Sequence, residues 1–325
     1  MKKKLQIIQP IINSYTSYGA LFSILPDSAW SWVMNNFIQL NYVYEWDMVT
    51  FDCHRLLLSN CPAIDYYEER RVAFNSVENG LKQTIIDGIR QGFYLFMYAD
   101  RYYIKVAEEY HKIHEPHEIF IYGYNLEEDK VYVGDNLEYG KFIFTMCTFS
   151  ELTEAYKKID SDRTYLYTIR YLKVHENTDC DLNLNQIISG IEAYLNSYET
   201  FEIAGNFTKM DYGISIVDKI LAQVASTNNN KIDIRFFHLF YEHKLLMEMR
   251  ICYLVKNNYI AENEIDLKDF SDLKSLTLIL RNLVLKYNLM SSSVLLDKIY
   301  NKLLEIRKKD VMLLSHLLWV LSQKQ

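Results

Sequence analysis

A histidine and an aspartate bracket the stretch IHEPHEIFIYGYNLEEDKVYVGDN, Ile113 to Asn136, at positions 117 and 135. Glu118 to Tyr124 has the composition of a strand, Asn125 to Lys130 supplies the polar residues of a turn, and Val131 to Gly134 returns. Such a β-hairpin sets His117 and Asp135 at the open ends of two neighbouring antiparallel strands. An imidazole beside a carboxylate is the orienting half of a nucleophile–base–orienter triad, because the carboxylate fixes the tautomer and stabilises the imidazolium. The simpler alternative is a surface histidine and a turn aspartate. His111 and His114 precede His117 at three-residue steps. No matching cysteine or carboxylate spacing accompanies them, so they read as loop residues, and neither a metal nor another cofactor is expected.

A His before an apolar run ending in Gly-Tyr, followed by an Asp that closes the next strand, resembles the papain-like cysteine peptidase fold. Within it the pattern is similar to the C39-like bacteriocin-processing peptidases and the butirosin-type acyltransferases of antibiotic biosynthesis. The resemblance implies a nucleophile at the start of a central helix, where the N-terminal dipole lowers a thiol pKa. From Ser14 the chain reads SYTSYGALFSIL, with small or apolar residues at Ser17, Ala20, Leu21, Ile24 and Leu25, helical spacing on a buried face. It carries no Cys. Ser14, directly after Asn13, best matches the nucleophile position, with Ser17 second and Tyr15 in reach if the register slips by one. The alternatives are a natural pseudoenzyme or a replaced cysteine.

The family often carries an oxyanion-stabilising Gln a few residues upstream of its nucleophile, and Gln9 lies five residues before Ser14. Asn13, Ser17 and Asp100 are the further candidates for oxyanion or supporting roles; Asp100 either lines the site or caps the next turn. In the second half, RFFHLFYEHKLLMEMR sets Arg235, His238, Glu242 and Arg250 near one helix face. That run resembles the C-terminal part of butirosin-type proteins. It is read as a core helix with polar residues at its entrance or, with Tyr15, as the border of a substrate channel.

These residues need a scaffold. Pro10 bars a regular helix in the extended lead-in LQIIQPIIN. A helix is predicted over about 28–37, then strands or irregular structure, with Cys53 and His54 as core and surface neighbours rather than a dyad. Residues 66–91 read as helix, stopping at Gly92. FYLFMYADRYY is too continuously apolar for an edge strand, and KFIFTMCTF and RTYLYTIRYLKV read as strands. Between the last two, SELTEAYKKID reads as a helix capped by Ser150. Beyond Leu184, apolar residues recur at three and four along each segment, and no Pro occurs after Pro116. The fold class expected is α+β: a papain-like domain over 1–176 and an all-α helical domain over 177–325.

Composition narrows the functions. Half of the 325 residues are apolar, enough for a substantial core, and the net charge of −7 with no basic stripe argues against nucleic acid. Five scattered cysteines with no CxxC suit a reducing cytoplasm. No apolar run approaches the roughly 18 residues of a membrane span. The resemblance implies an acyl group delivered as a phosphopantetheine thioester on an acyl or peptidyl carrier protein and passed to a small amine. Such a carrier is acidic, so docking would fall to local cations at Arg70–Arg71, Arg90, Arg163, Arg170 or 307–309, and a homodimer stays possible. Hydrolysis by a peptidase or thioesterase and a non-catalytic scaffold are the competing classes.

Overall fold

The computed structural model describes residues 1–70, 80–159, 163–178, 180–200, 209–227 and 230–324. Its contacts divide the chain into two compact units, one of Met1–Ala29 with Leu56–Cys180 and one of Trp30–Arg55 with Asp181–Gln325. The class is mixed α and β, with every strand pairing among the described residues antiparallel.

In the first unit, β1 (Lys2–Lys4) and the helix α1 (Thr16–Phe22) precede the sheet proper. Three elements of the second unit follow in the chain: helix α2 (Trp30–Asn35) and the paired strands β2 (Leu40–Val43) and β3 (Met48–Phe51). The sheet then resumes with β4 (Ile64–Arg70), helix α3 (Gly80–Arg90), β5 (Tyr94–Asp100), β6 (Pro116–Asn125), β7 (Lys130–Glu138) and β8 (Lys141–Thr148). Helix α4 (Phe149–Lys157) and β9 (Thr168–Val174) complete it. Strand order is β4-β9-β5-β6-β7-β8, with β1 added to the far end of β6.

One sheet face carries Leu95, Met97, Ile119, Ile121, Val131 and Val133, all buried against Leu81, Ile85 and Ile89 of α3 and Leu152 and Ala155 of α4. Period-two alternation puts Phe120, Gly134 and Phe144 on the opposite face. There the Phe142 ring fills the space where a Cβ on Gly134 or on Gly19 of α1 would stand, 2.9 and 2.5 Å away. Two glycines thus let one aromatic ring lie between helix and strand, which draws α1 onto β7.

Several sequence expectations need correction. The segment IDYYEER is strand β4, not the first turns of a helix; residues 71–79 lie outside those described, and the helix begins at Gly80. β4 is the edge of the sheet, and edges take charged residues. Its Glu69 accepts from Tyr171 Oη at 2.7 Å on β9, so charges that looked like a solvated helix face are cross-strand partners. Helix α4 is capped by Thr148, not Ser150, in a reciprocal capping box with Glu151.

The second unit is not all-α: β2 and β3 pair with β10 (Met210–Tyr212) in a three-stranded sheet. Its helices are α2, α5 (Leu184–Asn196), α6 (Ile214–Ala225), α7 (Ile234–Lys256), α8 (Leu267–Met290) and α9 (Ser293–Ser322). α7 runs through its core, burying Phe236, Phe240, Leu246 and Leu254. It also buries cationic and titratable side chains. Arg250 donates to Met34 O at 2.7 Å, and Lys244 meets Asp310 of α9 at 2.5 Å. Buried charge survives only when paired or hydrogen-bonded.

Candidate functional site

Strand β5 ends at Asp100, and the chain makes a long excursion before β6 begins. Asp100 closes that excursion from inside. Its carboxylate accepts from the N–H groups of Tyr102 and Glu115, each at 3.0 Å, and lies 2.7 Å from His114 Nδ1. Of its two expected roles, the cap is the one built. The Arg101 backbone N–H donates to Glu115 O at 3.0 Å, which fixes the residue at the strand end and leaves its side chain to cross toward β7.

The register of β6 and β7 brings the histidine to the same place. Phe120 faces Gly134, so one step further sets Ile119 opposite Asp135, with His117 two residues on and on the same face. Diagonal neighbours of that kind lie within side-chain reach. His117 Nδ1 is 3.1 Å from Asp135 Oδ1, the pairing that the hairpin predicts. Between Asp135 and Glu138 the pairing of β7 with β8 shifts register. Such a bulge re-aims side chains at a strand end. Here the carboxylate of Asp135 and the amide of Asn136, consecutive residues, converge on one hydroxyl: Thr16 Oγ1 lies 2.6 Å from Asp135 Oδ1 and 2.8 Å from Asn136 Oδ1. Asn136 also donates its amide N–H to Asn13 O at 3.1 Å.

Asp135 is therefore the hub. Its side chain is 2% exposed, against 33% for that of His117. Arg101 approaches both oxygens, Nη2 at 2.9 Å from Oδ1 and Nε at 3.2 Å from Oδ2, and the Asn136 N–H adds 2.6 Å. Burial alone would raise the Asp135 pKa; His117 and then Arg101, by charge and hydrogen bond, outweigh it and hold it below 3.8. For His117, burial is the largest influence and lowers the pKa. Asp135 overcomes it, and the result lies above 6.5 although Arg101 opposes. A carboxylate kept ionised beside an imidazole of raised basicity is suited to orienting a general base.

The other expected residues are distributed as follows. Ser14 is half-buried just ahead of the helix, whose N-cap is Tyr15; Tyr15 stacks edge-on against Tyr18 at 5.4 Å. Ser17 is buried within α1, and its Oγ has no hydrogen-bond partner among the described residues. The hydroxyl brought onto the His–Asp pair is that of Thr16, between them, which the sequence reading passed over. Gln9 is exposed. Arg235 and His238 stand on α7 of the second unit. Arg235 binds its own N-cap, with Nε 2.8 Å from Asp233 Oδ2, and also donates to Asp47 O at 3.1 Å; His238 pairs with Glu242 at 3.3 Å.

Arg101 was also missed. The available signal was a cation placed directly after the most apolar strand, a position that needs an anionic partner. Burial pushes Cys61 and Cys147 up to about 12 and Cys53 well above its ordinary value, as befits inert core thiols. No group of three or more His, Cys, Asp or Glu side chains suited to a metal occurs among the described residues. No helix among them is long and apolar enough to cross a membrane.

Compared with known proteins, the chain matches no family model, and no curated protein matches it significantly.

Proposed function

We propose that this chain transfers an acyl group from a carrier-protein thioester to a small amine, forming an amide, with His117 as general base and Asp135 as its orienting carboxylate. On this reading the first unit is a papain-like domain of the butirosin type. The observation that carries it is the buried Asp135 carboxylate, which holds His117 on one side and, through Thr16, the start of α1 on the other. The segment flanking Thr16 bears the hydroxyls of Ser14 and Ser17. His117 accepts the proton of one of them as its oxygen attacks the thioester carbonyl; the phosphopantetheine thiolate leaves and takes that proton. The acyl-serine ester is then attacked by the amine, whose proton His117 returns to the serine oxygen as the C–O bond breaks.

Carrier docking on this reading would use Arg90 and Arg163, both exposed. Arg170 is turned to Glu118 at 3.1 Å, Arg307 is bound to Asp218, and Lys309 lies 2.9 Å from Asp269. Arg71 and the side chain of Arg70 lie outside what the structure describes.

One observation favours a second reading, a non-catalytic binding protein on the same scaffold: Arg101 shares Asp135 with His117 and neutralises part of the charge an imidazolium would use. Incubation with an acyl-phosphopantetheine thioester, read by intact-protein mass, separates the two. Acyl transfer predicts an adduct of acyl mass that an amine discharges. The adduct should be absent from His117→Ala and from Ser14→Ala or, if the second hydroxyl is the nucleophile, from Ser17→Ala. A wild-type protein that forms neither adduct nor amide would sink the enzyme reading.

A further inference from the structure

Three polar atoms crowd His117 Nδ1: Arg101 Nη2 at 2.9 Å, Asp135 Oδ1 at 3.1 Å and Glu118 O at 3.2 Å. A neutral imidazole nitrogen either donates or accepts, so these contacts cannot all be hydrogen bonds. Arg101 decides among them. Its Nη2 has two hydrogens and two oxygens to receive them, Asp135 Oδ1 at 2.9 Å and Asn136 O at 3.1 Å. A guanidinium is always protonated and accepts nothing. With both hydrogens given to oxygen, Nδ1 faces two acceptors and no donor. Its own proton then belongs there, aimed at Asp135, and Nε2 is left unprotonated. If Arg101 instead turned one hydrogen onto Nδ1, Asn136 O would lose its donor and the imidazole proton would move to Nε2. That tautomer cannot take a proton from an incoming nucleophile through Nε2.

The remainder of the fork resists that rotation. Nε is committed to Asp135 Oδ2 at 3.2 Å, and Nη1 stands 3.7 Å from both Glu109 and Glu115. Arg101 is also 8% exposed at its side chain, so water competes little for these hydrogens.

We propose that Arg101 is the positioning residue of this site: by gripping both oxygens of Asp135, and Asn136 O, with one edge of its guanidinium, it sets the plane of the carboxylate that aims Oδ1 at Nδ1, which holds His117 as the Nδ1–H tautomer and makes Nε2 the basic nitrogen. The catalytic consequence rests on the acyl-transfer reading; the tautomer does not. The charged groups that bear on His117 are Asp135 from β7, Arg101 from the end of β5, with Glu109 and Glu115 on its far side, and Glu118 of β6, itself paired with Arg170 of β9. From α1 the neutral Thr16 hydroxyl reaches Asp135. Arg101 is thus the one cation in contact with the ring among the described residues. Removing it should raise the pH at which His117 titrates, because burial is then left to oppose Asp135 without the cation.

Nitrogen NMR on the full chain labelled at histidine tests this, with His117 assigned by its loss in His117→Gln. At pH above its titration, where the ring is neutral, His117 of the wild type should show Nδ1–H with Nε2 unprotonated. Arg101→Met should shift the titration upward, since the cation is gone, and mix the tautomers, since Asp135 Oδ2 loses the donor that keeps the carboxylate aimed at Nδ1. Arg101→Lys, which keeps the charge but cannot span Asp135 and Asn136, should mix the tautomers with a smaller shift. A purely structural Arg101 would move neither signal in a variant that still folds. A wild-type Nε2–H signature overturns the assignment on its own, whether or not the variants fold, as does an unchanged tautomer in either folded variant. Failure of the wild type to transfer an acyl group, with the NMR result as expected, would remove the acyl-transfer reading and leave the role of Arg101 intact.

Discussion

The buried pair in the second unit gives the sharpest stability prediction. Lys244 and Asp310 are 1% and 0% exposed, their charged atoms stand 2.5 Å apart, and the Tyr194 hydroxyl donates to the same Asp310 oxygen at 2.7 Å. Lys244→Met has nearly the volume of lysine, so it opens little cavity and isolates the electrostatic loss. What remains is a carboxylate in the helical core with one neutral donor. Removing one partner of a buried pair costs about 3–5 kcal/mol. For a unit of this size that lowers the melting temperature by about 6–20 °C. The companion triple variant, Lys244→Met with Asp310→Leu and Tyr194→Phe, replaces the whole polar cluster with apolar volume. Tyr194 must change too, since its hydroxyl would otherwise be buried with no acceptor, at about 1–3 kcal/mol.

The triple variant should recover to within about 2 kcal/mol of wild type, because apolar replacement of a buried pair is often neutral or better. Urea unfolding followed by far-ultraviolet circular dichroism, with the denaturant slope compared between variants, measures each step. Burial lowers the Lys244 pKa below 10.5 against the opposing pull of Asp310. The unfolded chain therefore holds this proton in a window where the native one has lost it. Stability contributed by Lys244 rises with pH through that window, and Lys244→Met should lack the slope. A cost under about 1 kcal/mol for Lys244→Met, or a triple variant as unstable as the single one, would refute the reasoning.

At the His–Asp site, the pKa of His117 is raised above 6.5 and that of Asp135 is lowered below 3.8. The stability they contribute is thus fully present between these values. It is lost as pH rises through the native His117 value and again as pH falls through the native Asp135 value. Denaturation across pH should show both limbs in the wild type, His117→Gln should lose the alkaline one, and Asp135→Asn should lose both. Thr16→Val removes a hydroxyl hydrogen bond to a buried carboxylate, which should cost about 1.5–3 kcal/mol by the same denaturation assay. If acyl transfer operates, that substitution should also slow it, since Ser14 and Ser17 flank the lost tether.

The hairpin was legible because its information is local. A polar turn between two apolar strands announces the pairing, but not its final register: the turn alone would set Phe120 opposite Asp135, and the irregularity between Ile121 and Gly123 slips the strands by one, which brings His117 to the face of Asp135. The helices of the second half were legible for the same reason, since period-3.6 patterning lies within each segment. What stayed hidden depends on distant partners. Arg101 meets Asp135 only because β5 and β7 flank β6, and Thr16 meets it only because Phe142 fits against Gly19 and Gly134. Neither contact leaves a mark within a window of neighbouring residues. Strand β4 was misread because the partners of Glu68 and Glu69 stand on β9, about a hundred positions later. The strand β10 is three residues long and is defined by its pairing to β2, so no periodicity announces it.

The interrupted connectivity of the helical unit has a consequence for synthesis. Residues 30–55 leave the ribosome early, yet β10 and α7, with which they pack, emerge only after the whole sheet unit has been made. During that interval Phe37, Leu40 and Phe51, each 0% exposed in the finished molecule, have no permanent cover. The sheet unit faces no such delay, since its last residue is Cys180. A fragment ending at Cys180 should therefore carry an uncompleted apolar hairpin and be prone to aggregate, while one starting at Asp181 should lack the strands that β10 extends. An autonomous helical unit would need residues 30–55 joined directly to Asp181–Gln325 by a linker standing in for the excised sheet.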